Sequence, residues 1–124
     1  MGLMNTLFGN ASEISTEQIE REYGPLLCDG ELIEKAFKLF RDKWVFTNKR
    51  LIVQNTQGAT GKKREYMSVP YRSIERFSVE TAGTFDMDSD LKLWIKKADE
   101  PLQQKIGKDA DILEVQRLLA KYVL

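Results

Sequence analysis

The sequence predicts a mainly β, α+β fold: a curved antiparallel sheet of about seven short strands, a partly open barrel, capped by one C-terminal α-helix. Three observations predict it. From Leu32 to Ile106, apolar and polar residues alternate with period two in short runs broken by Gly, Pro and Asn. After Asp111 the period changes to 3.6. The length, 124 residues, fits one domain with one core.

The first segment reads as a helical leg over residues 1–24, ahead of a domain over 25–124. Ser15 and Gln18 make a capping box, and Glu17 places negative charge in the first turn. Ile19 and Tyr23 fall four apart on one face, and Gly24-Pro25 ends the helix. Upstream, Leu3, Met4, Leu7 and Phe8 cluster at helical spacing. They suit a leg that packs on the domain or on a neighbouring subunit. A membrane-surface anchor would need basic residues on the polar face, and none is there.

Asp29-Gly30 marks a turn, and the pattern becomes β. Between Leu32 and Phe40, Ile33, Phe37 and Leu39 share one side, and Ala36 and Phe40 share the other. Trp44-Val45-Phe46-Thr47 and Arg50-Leu51-Ile52-Val53 flank Asn48-Lys49, which reads as a tight hairpin because Asn tolerates the left-handed region. Residues 55–61 are Asn-, Gly-, Thr- and Gln-rich and form a loop. A strand from Lys62 ends at Pro70. Tyr71-Arg72-Ser73-Ile74 is a corner that sends Ile74 inward and buries the Tyr71 ring with its hydroxyl bonded. Phe77 and Val79 share a face of the next strand. Leu91, Leu93 and Ile95 oppose Lys92, Trp94 and Lys96, and Leu102 to Ile106 is the last strand. Asp111 caps the final helix, with Glu114 three residues on. Ile112, Val115, Leu118, Leu119 and Tyr122 line its apolar stripe.

Composition excludes several functions. Lys and Arg equal Asp and Glu at 19 each, so no overall basic field attracts nucleic acid. There is no histidine and one cysteine, Cys28. No Cys–His pair, zinc cluster or intrachain disulfide can form, and a reducing cytoplasm is the simplest setting. The glycines of Gln57-Gly58-Ala59-Thr60-Gly61-Lys62-Lys63 lack the P-loop spacing. The reading is of a binding module with no cofactor, not an enzyme. No apolar run approaches a membrane span, and residues 1–10 lack a secretory pattern. Met1-Gly2-Leu3-Met4-Asn5-Thr6 fits the short myristoylation pattern, which needs a eukaryotic host.

Three stretches carry a resemblance. Phe46-Thr47-Asn48-Lys49-Arg50-Leu51-Ile52, the run from Val69-Pro70-Tyr71-Arg72-Ser73-Ile74 through Glu80-Thr81-Ala82-Gly83-Thr84-Phe85-Asp86, and Leu91-Lys92-Leu93-Trp94-Ile95 resemble the bacterial pleckstrin-homology domain family. The likeness covers about residues 31–124 and less of the leg. It implies a PH-like curved seven-stranded sheet capped by a C-terminal helix. It also implies a cyclic homo-oligomeric ring, with five subunits, and no enzymatic activity. The fold name by itself confers no lipid binding.

Two candidate sites follow. Glu80, Thr81, Gly83, Thr84 and Asp86 place hydroxyls, carboxylates and a glycine together. They read either as a plain loop or as a subunit or partner contact. Gly83 there suggests a close backbone approach or a positive φ. Lys62, Lys63 and Arg64, with Lys38, Arg41, Lys43 and Lys49 on neighbouring strands, form an alternative anionic-ligand patch, diluted by Glu34, Asp42 and Glu65. The run reads either as a solvated loop or as a peripheral contact with an anionic membrane surface. The favoured function is protein–protein interaction by a self-assembling ring with an unidentified protein partner.

Overall fold

A computed structural model describes residues 10–39, 41–84 and 87–124. The apolar cluster Leu3, Met4, Leu7 and Phe8, the pattern at residues 1–6, and Phe40, Phe85 and Asp86 lie outside the described residues.

The elements run β1 (Asn10–Ile14), α1 (Thr16–Tyr23), β2 (Ile33–Lys38), β3 (Lys43–Thr47), β4 (Arg50–Gln57), β5 (Lys63–Pro70), β6 (Ile74–Thr81), β7 (Ser89–Ile95), β8 (Leu102–Ile106) and α2 (Ile112–Val123). The sheet has eight strands in the order β5-β4-β3-β2-β1-β8-β7-β6. The expected number was seven. The additional strand is β1, inside the stretch read as helical. Five residues with a single large apolar side chain give almost no period-two signal. Pairing makes the strand: Ser12, Glu13 and Ile14 lie opposite Lys38, Phe37 and Ala36 of β2. On the other side Asn10 and Ala11 lie beside Lys105 and Ile106 of β8, the one parallel pairing among the described residues. The short first segment therefore joins the two halves of the sheet.

Two apolar clusters sit on opposite sides of β2–β4. The larger lies inside the curl, where Phe37, Trp44, Phe46, Leu51, Leu91 and Leu93 are buried, with Ile112, Val115, Leu118 and Leu119 of α2 against them. The last helix is thus the expected lid. The smaller lies outside, where Ile19 and Tyr23 of α1 cover Ile33, Ala36, Val45 and Ile52. This explains why Trp44-Val45-Phe46-Thr47 has no solvent-facing position: all four residues are buried. The caps form as expected at their first arm. Ser15 Oγ accepts from the Gln18 N–H at 3.3 Å, and the Asp111 carboxylate accepts from the Glu114 N–H at 3.1 Å.

The β3–β4 turn is made differently from expectation. Among the described residues, Lys97 (φ 67) is the non-glycine residue with positive φ, so Asn48 is not left-handed. Instead, the Thr47 hydroxyl accepts from the N–H groups of Lys49 and Arg50, both at 3.0 Å. The Asn48 side chain faces outward as a clamp. It accepts from the Leu32 N–H at 2.8 Å and donates to the Gly30 carbonyl at 3.0 Å. At the other corner, Tyr71 and Ile74 are buried, and the Tyr71 hydroxyl donates to the Thr47 carbonyl at 2.5 Å. The Tyr122 ring of α2 stacks on Tyr71 with centroids 5.0 Å apart. The Tyr122 hydroxyl donates to the Glu34 carboxylate, and that bond, with Glu34's charge, pushes the phenol up to about 12.

Candidate functional site

The strand ladder carries Glu80 and Thr81 to the end of β6, opposite Asp90 and Ser89 of β7. β6 is the last strand of the sheet, so its outer edge has no strand partner among the described residues. The chain then turns. Thr81 Oγ1 accepts from the Gly83 N–H at 3.3 Å, and the Met87 N–H reaches the Thr84 carbonyl at 3.4 Å. Gly83 has φ +124, and a Cβ added there would meet nothing within 4 Å. Of the two readings of Gly83, conformation rather than close approach accounts for the glycine. Glu80, Gly83 and Thr84 are exposed and Thr81 is half-buried, while Asp86 falls outside the described residues. Ala82, Met87 and Asp88 line an open cleft of ≈ 540 Å³ with Ala11, Ser12 and Lys108. The Asp88 carboxylate accepts from the Lys108 N–H at 2.9 Å, tying this turn to the approach to α2.

The basic candidates lie at the β4–β5 turn. Lys62 precedes β5, and Lys63 and Arg64 open it opposite Gln57 and Thr56. All three are exposed. The β2–β3 connection packs alongside: Arg41 Nη2 donates to the Gly58 carbonyl at 2.5 Å, and the Asp42 carboxylate accepts from the Thr56 N–H at 2.6 Å. Arg41 therefore joins Lys62, Lys63 and Arg64, and Lys38 stands at the adjoining end of β2. Lys43 does not join them, because it pairs with Glu22 at 3.2 Å. Lys49 sits in the β3–β4 turn, at the far end of those strands. Ser12 of β1 lies opposite Lys38 and also lines the cleft with Ala82, while Lys63 and Arg64 lie on β5, four strands away in the sheet.

Two constellations carried no assigned role in the sequence. Glu31 is buried, its side chain 1% exposed, and gathers four donors. Arg50 Nε reaches one oxygen at 2.8 Å and Nη2 the other at 3.0 Å; Thr47 Oγ1 and the Cys28 N–H complete the set at 2.7 and 3.0 Å. Burial alone would push the Glu31 carboxyl upward. The bonds from Arg50, Thr47 and Cys28, with the Arg50 charge, outweigh it and bring the group to about 2. A turn signal at Asp29-Gly30 hides this residue, since nothing local marks Glu31 as the partner of Arg50. The second is Arg76, whose guanidinium lies 4.6 Å from the centre of the Trp94 ring. The alternation of β7 does put Trp94 beside Lys92 on the outer side, but only the ladder puts Arg76 opposite it.

Among the described residues no group of three or more His, Cys, Asp or Glu could hold a metal ion, and no helix is long and apolar enough to cross a membrane. Hydroxyls, carboxylates, guanidinium groups and open strand edges offer contact chemistry.

Known proteins agree with that architecture. The family model for the bacterial PH domain matches residues 2–123. YjqA, an uncharacterised protein of Bacillus subtilis, is 52% identical over 121 residues, with 97% of each chain covered. A crystal structure of a protein with a pleckstrin-homology domain from Shewanella loihica is 47% identical, with a TM-score of 0.83 over 94% of this chain and 99% of that one. A pleckstrin homology domain from Shewanella amazonensis is also 47% identical, with a TM-score of 0.69 and 99% of each chain covered. With nearly its whole length matched, the chain belongs to the bacterial PH domain family.

Proposed function

We propose that this chain is a non-enzymatic binding module that assembles head to tail into a closed ring and offers a repeated polar surface to a protein partner. One observation carries the reading: both ends of the sheet, β5 and β6, are eight-residue strands whose outer edges have no strand partner among the described residues. An uncovered edge is a template for another chain. A head-to-tail contact repeated with a rotation that closes gives a ring, five-membered if the resemblance holds. The contact is assigned to residues 80–86, at the end of β6 and in the turn after it. Repetition around a ring makes weak partner contacts add up. Light scattering coupled to size exclusion at micromolar concentration tests this. A mass several times 14.3 kDa is expected, and a clean 14.3 kDa species refutes assembly.

The second reading is peripheral binding to an anionic membrane surface. It is favoured by the packing of Arg41 against the loop that carries Lys62, Lys63 and Arg64. Sedimentation with anionic vesicles, reversed by salt, would place it first. No sedimentation at low salt removes it.

A further inference from the structure

The ring contact is assigned to the end of β6, which leaves the other end strand, β5. We propose that the outer edge of β5 receives the protein partner as an extended segment paired main chain to main chain. The segment sets an aliphatic side chain in the hollow beside Met67–Pro70 and meets Lys62, Lys63 and Arg64 with acidic residues. The inference rests on the protein-binding part of the reading above and names the chemistry of the partner.

β5 pairs with β4 on one side and ends the sheet, so its other edge has no strand partner among the described residues. A hollow of ≈ 260 Å³ runs beside that edge, and Met67, Ser68, Val69 and Pro70 all line it. Successive side chains of a strand point to opposite faces. Four residues in a row therefore border one hollow only where it opens along the strand's edge. Ile95, Ala98 and Leu102 form the facing wall. That wall is pinned: the Lys96 N–H donates to the Ser73 carbonyl at 2.8 Å, and the Ala98 N–H to the Ile95 carbonyl at 3.1 Å. Sites that enclose a small molecule measure about 300–1,000 Å³. This hollow is smaller and mostly apolar, which suits one side chain of a segment lying along β5. The N–H and C=O groups of the strand edge supply the main-chain bonds.

Charge sets the rest of the partner. Away from the hollow, β5 runs back to Arg64 and Lys63, with Lys62 just before it. All three are exposed, and none forms an ion pair among the described residues. Arg41, held to the Gly58 carbonyl, adds a fourth cation to that turn. Glu65, the carboxylate on β5, accepts from the Asn55 side chain at 3.2 Å. From Ser68 back to Arg64 and to Lys62 is four and six residues, about 13 and 20 Å at ~3.3 Å per residue. A segment extended along β5 has the same rise. Its acidic residues therefore fall four to six positions from its aliphatic one, whichever way it runs. The edge holds any extended segment, and the hollow and the cations select among them.

The probe is an immobilised pool of peptides of about ten residues, long enough to span the hollow and the basic turn. One half of each peptide is aliphatic and β-branched and the other half is Asp and Glu, in both orders. A control pool carries Lys and Arg in place of Asp and Glu. Retention of the full chain is measured at low salt, with circular dichroism melts to show that each variant is folded. The acidic pool should hold wild type and release it as salt rises, and the basic pool should not hold it. Lys62→Glu, Lys63→Glu and Arg64→Glu together should weaken retention about tenfold or more, the product of three exposed charge pairs, and transfer it to the basic pool. Ala98→Trp fills the hollow from an exposed position and should abolish retention. Methylating the peptide nitrogens of the aliphatic half should do the same. Retention that survives both of these changes is charge attraction alone and overturns the inference. Folded wild type held by neither pool also overturns it, while the ring reading, decided by the mass of wild type, stands. Retention that appears only with Leu7→Ser and Phe8→Ser makes the start of this chain the occupant of the hollow and overturns the inference. Anionic vesicles that displace the acidic pool from wild type assign the basic run to a membrane surface, with the same consequence.

Discussion

Replacing Glu31 by Gln keeps the side chain's shape and removes its charge. The carboxylate is almost wholly buried and receives four hydrogen bonds, two of them from Arg50. Folding lowers its carboxyl from 4.5 to about 2. At about 1.4 kcal/mol per pH unit, that is worth roughly 3 kcal/mol at neutral pH. A guanidinium left alone would add to the loss, but Arg50 keeps the Leu26 carbonyl and Ser68 Oγ, both at 2.7 Å, and is about a quarter exposed. The expected loss for Glu31→Gln is therefore about 2–4 kcal/mol at pH 7. The folded value lies below the unfolded one. The stability is therefore fully present above 4.5 and is lost as pH falls towards 2. Urea melts of both proteins between pH 7 and pH 3 measure it, and the difference should shrink to roughly half or less by pH 3. A difference below about 0.5 kcal/mol at pH 7, or one of equal size at pH 3 and pH 7, refutes the reasoning.

Other perturbations address the lid, the corner and the basic turn. Leu118→Ala removes a buried side chain of α2 and should cost roughly 2–5 kcal/mol in denaturant melts; a loss below about 0.5 would sink the lid assignment. Tyr71→Phe leaves the Thr47 carbonyl without its hydroxyl donor and should cost about 1–3 kcal/mol; an unchanged urea midpoint would show that the bond contributes nothing. Burial and then the Glu34 charge hold the Tyr71 phenol above the ordinary tyrosine value, so its absorbance should not titrate with exposed phenols near pH 10; a step there that Tyr71→Phe abolishes would contradict the packing. Neutralising Lys62, Lys63 and Arg64 together should leave stability within about 0.5 kcal/mol and the assembled mass unchanged; dissociation of the assembly would move the contact to this turn.

Most of the fold was legible because alternation and capping are local. Most strands from Ile33 onward, the Tyr71 corner and α2 with its Asp111 cap lie within a residue or two of expectation, but β4 runs on to Gln57, into the stretch read as a loop, because Asn55, Thr56 and Gln57 pair with Glu65, Arg64 and Lys63 of β5. What was not legible depends on partners distant in sequence. β1 is a strand because β2 and β8 flank it. Asn48 is needed for the Gly30–Leu32 segment it clamps, and its own backbone angle does not require it. Of the candidate residues, the positive φ of Gly83 was readable. Its surroundings were not, because Ala11 and Lys108 reach that cleft from opposite ends of the chain. The basic run and Arg41 beside it were visible, but the loss of Lys43 to Glu22 and the separation of Lys49 at the far turn were not.

The two halves of the sheet differ in how they use their surfaces, and this bears on where function resides. β2–β4 bury both sides, one under α1 and one in the curl. Val45, Phe46, Leu51 and Ile52 are at most 1% exposed, so substitution there is felt as lost stability. β6 and β7 bury one side only. Phe77, Val79, Leu91 and Leu93 satisfy the core, and the alternate positions are free to be Arg, Ser, Glu, Asp, Lys and Trp without disturbing it. Folding does not require Trp94 on that outer side, since a polar residue at that position would leave the core intact. Trp94 is half-buried there, with the Arg76 guanidinium 4.6 Å from the centre of its ring. The contact proposed at the end of β6 belongs to the half that packs on one side, and the two-sided half is its rigid support.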